Sequence, residues 1–443
     1  MTVSAVRPLL VGLALAVAGN LLPVSLPTAS AFTPPTRTAA PDTSRCPFRF
    51  SPPPAVDTSE VPKPGQTSPA ALPLPAHTPG GKGLESCDIV AAAGFAVPEE
   101  LTAASWIVFD IDRGTVLAAK DPHGRYRPAS IIKVLLALVA IDELDPTTRY
   151  TATRADADME GSRVGLGAGG VYSVDDLLHG LVMSSGNDAA HALAQLLGGD
   201  QAANGKVNAL AKKLGTTGTF VANYSGLDGP GQMTTAFDMA LVYRKAWLTN
   251  AFVRLVTTKS VNFPGYGDNP GFEVWNDNGL LFSDEGSLGG KTGYTDDALH
   301  TYAGAVERNG RRLAVVVLNT TIDAGRAWEQ GQRLLDAGFA TAPTASIGTV
   351  TPAPATPPTG EPTDPPTKHS STSTIPPVPT TTANNEAATR SAPSSPGNTQ
   401  PAAASFTSSS RLLGTAAWVV VTLVVIAVLL LSRWQRRRQP RHQ

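Results

Sequence analysis

Hydrophobic and polar positions follow different rhythms along the chain, and the changes of rhythm divide it. Arg7 precedes an apolar run from Leu9 to Ala18, and the small residues Ala29-Ser30-Ala31 follow. A basic start, a short apolar core and a small-residue site predict a secretory signal peptide over residues 1–31, cut after Ala31. Residues 32–87 are rich in Pro, Ser and Thr and keep neither a helical nor a strand period, which predicts an irregular arm. Regular periods return over residues 88–342. Residues 343–410 repeat the Pro/Thr/Ser-rich composition and predict a disordered linker. Its reach lies between roughly 45 Å as a coil and about 210 Å extended. Leu412 to Ser432 then carry no charge. At about 1.5 Å per residue such a helix spans roughly 31 Å, the thickness of a bilayer core, so residues 411–432 are expected to cross a membrane. Arg433, Arg436, Arg437, Arg438 and Arg441 follow. The positive-inside rule puts the tail 433–443 in the cytoplasm and everything before Arg411 outside.

Within residues 88–342 the pattern is mixed. "SWIVFDIDRGTVLAAKD" (105–121) predicts a hairpin turning at Arg113-Gly114. "PASIIKVLLALVAIDEL" (128–144) predicts a helix that stops before Pro146, because proline disfavours helical backbone at the residue before it. That helix is apolar nearly all round, yet Lys133 sits among Ile131, Ile132, Val134, Leu135 and Leu136. Ser173 with Asp176 forms a capping pattern ahead of "LLHGLVM". "DAAHALAQLLG", "QAANGKVNALAKKLG" and "TAFDMALVYRKAWL" predict further helices. "SLGGKTGYT", "HTYAGAVER" and "RRLAVVVLNTT" predict strands, the last two joined at Asn309-Gly310, and "DAGRAWEQGQRLLDAGFA" a closing helix. Strands at both ends of a helical block predict an α+β domain whose mostly antiparallel sheet is packed by helices.

Composition narrows the possible partners. The 443 residues are 42% hydrophobic with a formal net charge of -1, enough to bury a core and without the basic excess of a nucleic-acid binder. Cys46 and Cys87 are the only cysteines, both in the part expected to be exported, so a disulfide is predicted. Closing a ring of that size is worth up to about 4 kcal/mol by loop entropy.

The chemistry begins with Ser130 and Lys133, whose spacing makes them neighbours on one helical face. A serine hydroxyl needs a base to become a good nucleophile, and a lysine serves only if burial or a nearby cation keeps it neutral. The apolar neighbours of Lys133 supply the burial. The helix N-terminus beside Ser130 offers N–H groups to a developing oxyanion. Alone, Ser-x-x-Lys also fits a capping serine and a snorkelling lysine. Two more motifs follow in order: Ser185-Gly186-Asn187 between two helices, and Lys291-Thr292-Gly293 on a strand. The ordered set is far more specific than any member.

Over about residues 90–342 the sequence resembles the penicillin-binding, serine-type D-alanyl-D-alanine carboxypeptidases of bacteria, peptidase family S11, related to serine β-lactamases. Besides the three motifs, "GSRVGLGAGGVYSVDDLLHGLVMSSGNDAAHALA", "NYSGLDGPGQMTTAFDMA" and "KTGYTDDALHTYAGA" carry the resemblance. Ile132 departs from the threonine common before the lysine, without touching a reacting group. The resemblance implies a DD-peptidase-like α+β fold with a helical subdomain over the catalytic domain 88–342. It implies that Ser130 attacks the penultimate D-alanine carbonyl of a peptidoglycan stem peptide, with Lys133 as base. Ser185 would pass a proton to the departing amine and Asn187 would hold the substrate amide. Lys291 would keep Lys133 neutral and, with Thr292 and Gly293 of the same strand motif, attract the terminal carboxylate. Backbone N–H groups of Ser130 and Tyr294 would form the oxyanion hole. No cofactor or metal is implied, and β-lactams would acylate Ser130.

Neighbouring chemistries fit less well. A class A β-lactamase deacylates with a glutamate after its Ser-x-Asn motif, and residues 161–272 contain none. A DD-endopeptidase would use the same acyl chemistry on cross-links. A non-catalytic wall-binding module would suit the tether but has no need of a lysine in oil beside a serine. His179 and His191 lie on separate predicted helices and no metal motif occurs, while His300, past the Lys-Thr-Gly strand, is placed to approach the substrate carboxylate.

Overall fold

The computed structural model describes residues 32–352. The expected signal peptide, most of the expected linker, the apolar run 411–432 and the basic tail lie outside the described residues. The first strands are β1 (Ile89–Ala91), β2 (Ser105–Asp110) and β3 (Thr115–Lys120). A 3-10 turn, Ala129–Ile132, then leads into α1 (Lys133–Glu143). A mostly helical block follows: β4 (Arg149–Thr151), α2 (Arg154–Ala157), β5 (Val171–Ser173), α3 (Val174–Met183), α4 (Asn187–Leu196), α5 (Asp200–Lys213), α6 (Ala236–Trp247) and α7 (Asn250–Thr257). The chain returns through β6 (Ser260–Phe263), β7 (Phe272–Trp275), α8 (Leu280–Ser283), β8 (Ser287–Thr295), β9 (Leu299–Arg308), β10 (Arg311–Thr320), α9 (Ala327–Ala340) and β11 (Gly348–Thr349).

The main sheet runs β1-β3-β2-β10-β9-β8, with β11 also on β3, and its pairings are antiparallel. Both faces are covered, which is why all six residues of β2 are buried. Ile107 and Phe109 face the helical block with Val316 and the apolar residues of α1, α3 and α6. Trp106 and Val108 face the opposite way, onto Leu334 and Leu335 of α9. Period-2 alternation thus feeds two cores from one strand. At the β9–β10 turn Asn309 and Gly310 have φ of 53° and 74°, the left-handed pair that a two-residue hairpin requires.

One expectation about a segment end is corrected. Fold continues past residue 342: Ile347 N–H donates to Val116 O (2.9 Å), Gly348 and Thr349 pair with β3, and Val350 is buried. The arm is irregular and packs along the domain. Proline removes N–H donors and leaves carbonyls, and buried cations take them. Arg125 donates to Phe50 O and Leu72 O (2.7 and 2.8 Å), Arg127 to Pro53 O (2.8 Å) and Lys120 to Pro41 O (2.6 Å). The Cys46–Cys87 disulfide closes the arm on itself.

Candidate active site

Ser130 sits in the 3-10 turn, so the Ser-x-x-Lys motif straddles the junction with α1 and does not open an α-helix. The turn is strained at Ala129, whose φ is 47°, a conformation a non-glycine residue keeps only when its surroundings enforce it. The enforcing contacts come from three sides. Thr301 Oγ1 on β9 donates to Pro128 O (2.8 Å), and Tyr243 Oη on α6 donates to Ile131 O (2.9 Å). On the third side Gly226 lies against the Ala129 carbonyl, where a side chain would collide. Gly293 of β8 is as close: a Cβ there would stand 2.8 Å from Ser130 N. Glycine in the Lys-Thr-Gly motif therefore lets the strand backbone abut the backbone of the serine.

Lys133 Nζ lies 2.8 Å from Ser130 Oγ and donates to Ser225 O. The side chain is 1% exposed. Burial drives its pKa well below that of an ordinary lysine, and the charge of Lys291 pushes it the same way, against the weaker pull of Asp277 and Asp188. Lys133 and Lys291 line one small void with Leu181, Val182, Tyr243 and Phe252, so two amines share an apolar wall. Lys291, also buried, is lowered by burial with Asp277 opposing. Its Nζ donates to Thr292 O (2.9 Å) and lies 3.8 Å from Asp277 Oδ2, which also accepts from Thr292 Oγ1 (2.9 Å).

Ser185 and Asn187 lie where α3 ends and α4 begins, with Ser185 at φ 58°. Gly186 N–H donates to Gly180 O (3.0 Å) and Asn187 N–H to Ser162 O (2.7 Å). Asn187 Nδ2 donates to Glu160 O (2.6 Å). Ser185 Oγ and Asn187 Oδ1 are buried and have no hydrogen-bond partner among the described residues. Two orphaned polar atoms side by side in the motif are what a substrate amide and amine would satisfy. Asp188 supports them: its carboxylate accepts from the N–H groups of Val164, Gly165 and Leu166 (2.9, 2.8 and 2.9 Å), pinning the loop that holds Asn187.

Tyr294 projects its side chain outward, donating to Asp296 Oδ1 (2.9 Å), so only its backbone belongs to the expected oxyanion hole. Its ring packs against His300, centroids 4.7 Å apart and planes tilted by 45°. A cavity of about 330 Å³ opens beside Thr292 and Gly293, lined also by His300, Ile322, Arg326 and Trp328. His300, expected near the substrate carboxylate, lines this cavity together with Thr292. His179 and His191 are structural, the first against Asp175 O (2.8 Å), the second paired with Asp156.

Sequence reasoning missed Asp277, Asp188, Ser225 and Gly226. Ser225 and Gly226 fall in a segment already noted as family-like, "NYSGLDG", but no local rule says that its carbonyl receives Lys133. The two aspartates are ordinary in their own neighbourhoods.

The sequence profile of a family described as D-alanyl-D-alanine carboxypeptidase matches residues 92–321. The D-alanyl-D-alanine carboxypeptidase DacB2 of Mycobacterium tuberculosis is 42% identical over 267 residues, 59% of this chain and 91% of the relative. DacD of Escherichia coli is 32% identical over 253 residues, and there the chain covers 63% of the relative. A crystal structure of an evolved putative penicillin-binding protein homolog from Mycobacterium tuberculosis superposes with a TM-score of 0.56 at 42% identity, over 59% of this chain and 100% of that one. The DD-transpeptidase of Streptomyces strain K15 gives 0.53 at 27% identity, over 56% and 100%.

Proposed function

The chain belongs to the D-alanyl-D-alanine carboxypeptidase family, and from that premise we propose how its residues remove the terminal D-alanine of a peptidoglycan stem peptide. The observation that carries the reading is a buried, cation-flanked amine 2.8 Å from a serine hydroxyl. Neutral Lys133 takes the hydroxyl proton as Ser130 Oγ bonds to the penultimate D-alanine carbonyl carbon. The oxyanion is held by the backbone N–H groups of Ser130 and Tyr294, where Gly293 lets the strand lie against Ser130. The C–N bond then breaks. Ser185 passes a proton to the departing D-alanine amine, and water releases the acyl group from Ser130. Asn187 holds the substrate amide, and Lys291 with Thr292 faces the terminal carboxylate. The protein is a serine-type carboxypeptidase of the penicillin-binding class.

Residues 161–272 contain no glutamate, and Glu160, just outside that window, touches Asn187 only through its carbonyl. A penicilloyl group on Ser130 should therefore persist, as on a penicillin target rather than a lactamase. A fluorescent penicillin should label the purified protein covalently and leave Ser130→Ala unlabelled. Absence of label on the wild type, or label persisting on the variant, would overturn the mechanism. The charge-free run 412–432 with its basic tail supports a single membrane anchor holding the domain on the wall side of the cell membrane, after export by the signal peptide 1–31. Among the described residues no helix is long and apolar enough to cross a membrane, and the run lies outside them.

A further inference from the structure

The β6–β7 hairpin leans on the loop that holds Asn187 and turns its other face to solvent. Its register pairs Ser260 with Trp275, Val261 with Val274, Asn262 with Glu273 and Phe263 with Phe272. Opposed residues share a face and successive ones alternate, so Trp275, Ser260, Asn262 and Glu273 stand together on the outer face. Val274 and Phe263, on the inner one, are buried. Two rings of the hairpin meet the cleft loop: Phe272 lies against Gly165 and Tyr266 against Gly167, where a Cβ would stand 3.3 and 2.1 Å from them. That loop is the one Asp188 pins, and its Ser162 and Glu160 carbonyls hold Asn187. At the hairpin's far end Trp275 precedes Asp277 by two residues, at most about 7 Å of backbone. Asp277 in turn accepts from Thr292 Oγ1 (2.9 Å), and its N–H donates to Met183 O (3.0 Å). The outer face is therefore continuous with the cleft on both its loop and strand sides. Large rings are left open there: Trp275 is 57% exposed and Phe282 of α8 47%. Their centroids lie 6.1 Å apart, and Lys259 Nζ stands 5.8 Å from the centre of the Phe282 ring. Clustered exposed rings beside a site mark a binding surface.

We propose that this face, centred on Trp275, binds the glycan strand from which the stem peptide hangs. The inference rests on the proposed function, since it places the sugar of that same substrate. An indole face is negative with π electrons and attracts the weakly positive C–H groups on one side of a pyranose ring. Ser260, Asn262 and Glu273 around it supply the hydroxyl, amide and carboxylate that sugar hydroxyls and N-acetyl groups need. The reach agrees: a stem peptide joins its sugar only a few residues before the scissile carbonyl, at most about 14 Å of extended chain. Other occupants fit less well. Glu273 on the same face opposes an anionic lipid surface, and polar residues interrupt the apolar area that a protein partner would bury. A glycan held at Trp275 confines the attached peptide near Asn187 and raises its effective concentration at Ser130. The gain falls on KM, because nothing at the reacting atoms changes.

The test uses the full chain in detergent and two substrates. One is a free peptide ending in D-Ala-D-Ala, and the other is the same peptide attached to a short strand of N-acetylated amino sugars. The wild type should show a KM about fivefold lower for the glycopeptide. Trp275→Ala should abolish that difference, leaving kcat/KM for the free peptide within about twofold and the melting temperature unchanged. Asn262→Ala should remove part of the difference. Glycan strands stripped of peptide should retain the wild type in co-sedimentation and release Trp275→Ala. Equal KM values on the wild type, or a Trp275→Ala loss shared by both substrates, would overturn the inference. So would a Trp275→Ala variant that still binds stripped glycan but no longer binds vesicles of anionic lipid. If the wild type trims neither substrate, the proposed function falls. The stripped glycan then decides the surface alone: retention lost in Trp275→Ala upholds it, and no retention of the wild type sinks it.

Discussion

An ammonium group is costly to bury, and Lys133 has only the Ser130 hydroxyl and the Ser225 carbonyl as hydrogen-bond partners among the described residues. Its amine is kept neutral, by burial first and by Lys291 second. A lowered pKa means that the proton-free form predominates down to a lower pH than for a free lysine, and that form is the base. Acylation by a fluorescent penicillin should therefore fall on acidification as Nζ takes up a proton. Lys291→Met removes the second cause, so the acid limb of the acylation rate should move to higher pH. If the limb stays in place, another group sets it. The residue types of this site were legible in the sequence, because a lone lysine in an apolar run beside a serine is a local anomaly. Asp277 was not, since its meaning depends on Lys291 and Thr292 lying across a tertiary contact.

At the scale of elements, local rules held where local chemistry decides. Ser173 and Asp176 make both bonds of a capping box at the start of α3, and Asn309-Gly310 turns the last hairpin. Local rules failed at the Ser-x-x-Lys junction, where packing from β9 and α6 holds Ala129 at φ 47° and makes a 3-10 turn of what the period reads as helix. The loop before α3 is likewise set from outside. Asp188 on α4 accepts from Val164, Gly165 and Leu166, and Ser162 O and Glu160 O of that loop hold Asn187. Asp188→Ala would strand three N–H groups, at roughly 3 kcal/mol or more. A urea melt should show that loss, and penicillin labelling of the folded variant should be strongly slowed. Wild-type labelling by a variant with the expected loss of stability would mean that the loop does not position Asn187.

Across the whole molecule, the arm, the sheet and the helical block meet at the cleft, with Arg37, Arg127 and the Cys46–Cys87 link holding the arm down. Arg127, two residues from the strained turn, pairs with Glu60 of the arm and stands 3.8 Å from Asp297 beyond β8. The proposed anchor acts at this scale too: the full chain should sediment with membranes, its folded domain open to external protease after wall removal. Recovery in the soluble cytosol would overturn that topology. The sequence by itself determined the order of the three motifs, the α+β succession of elements, the cysteine pair and the caps and turns, because each is written in neighbouring residues or in a simple period. Only the tertiary structure decided that the proline-rich arm packs along the domain, that β11 extends the sheet past residue 342, and that Asp188 and Asp277 serve the site. It also decided why Lys133 can act as a base. Burial and the approach of a second lysine are properties of chain segments far apart in sequence, and only folding brings their fields and surfaces together.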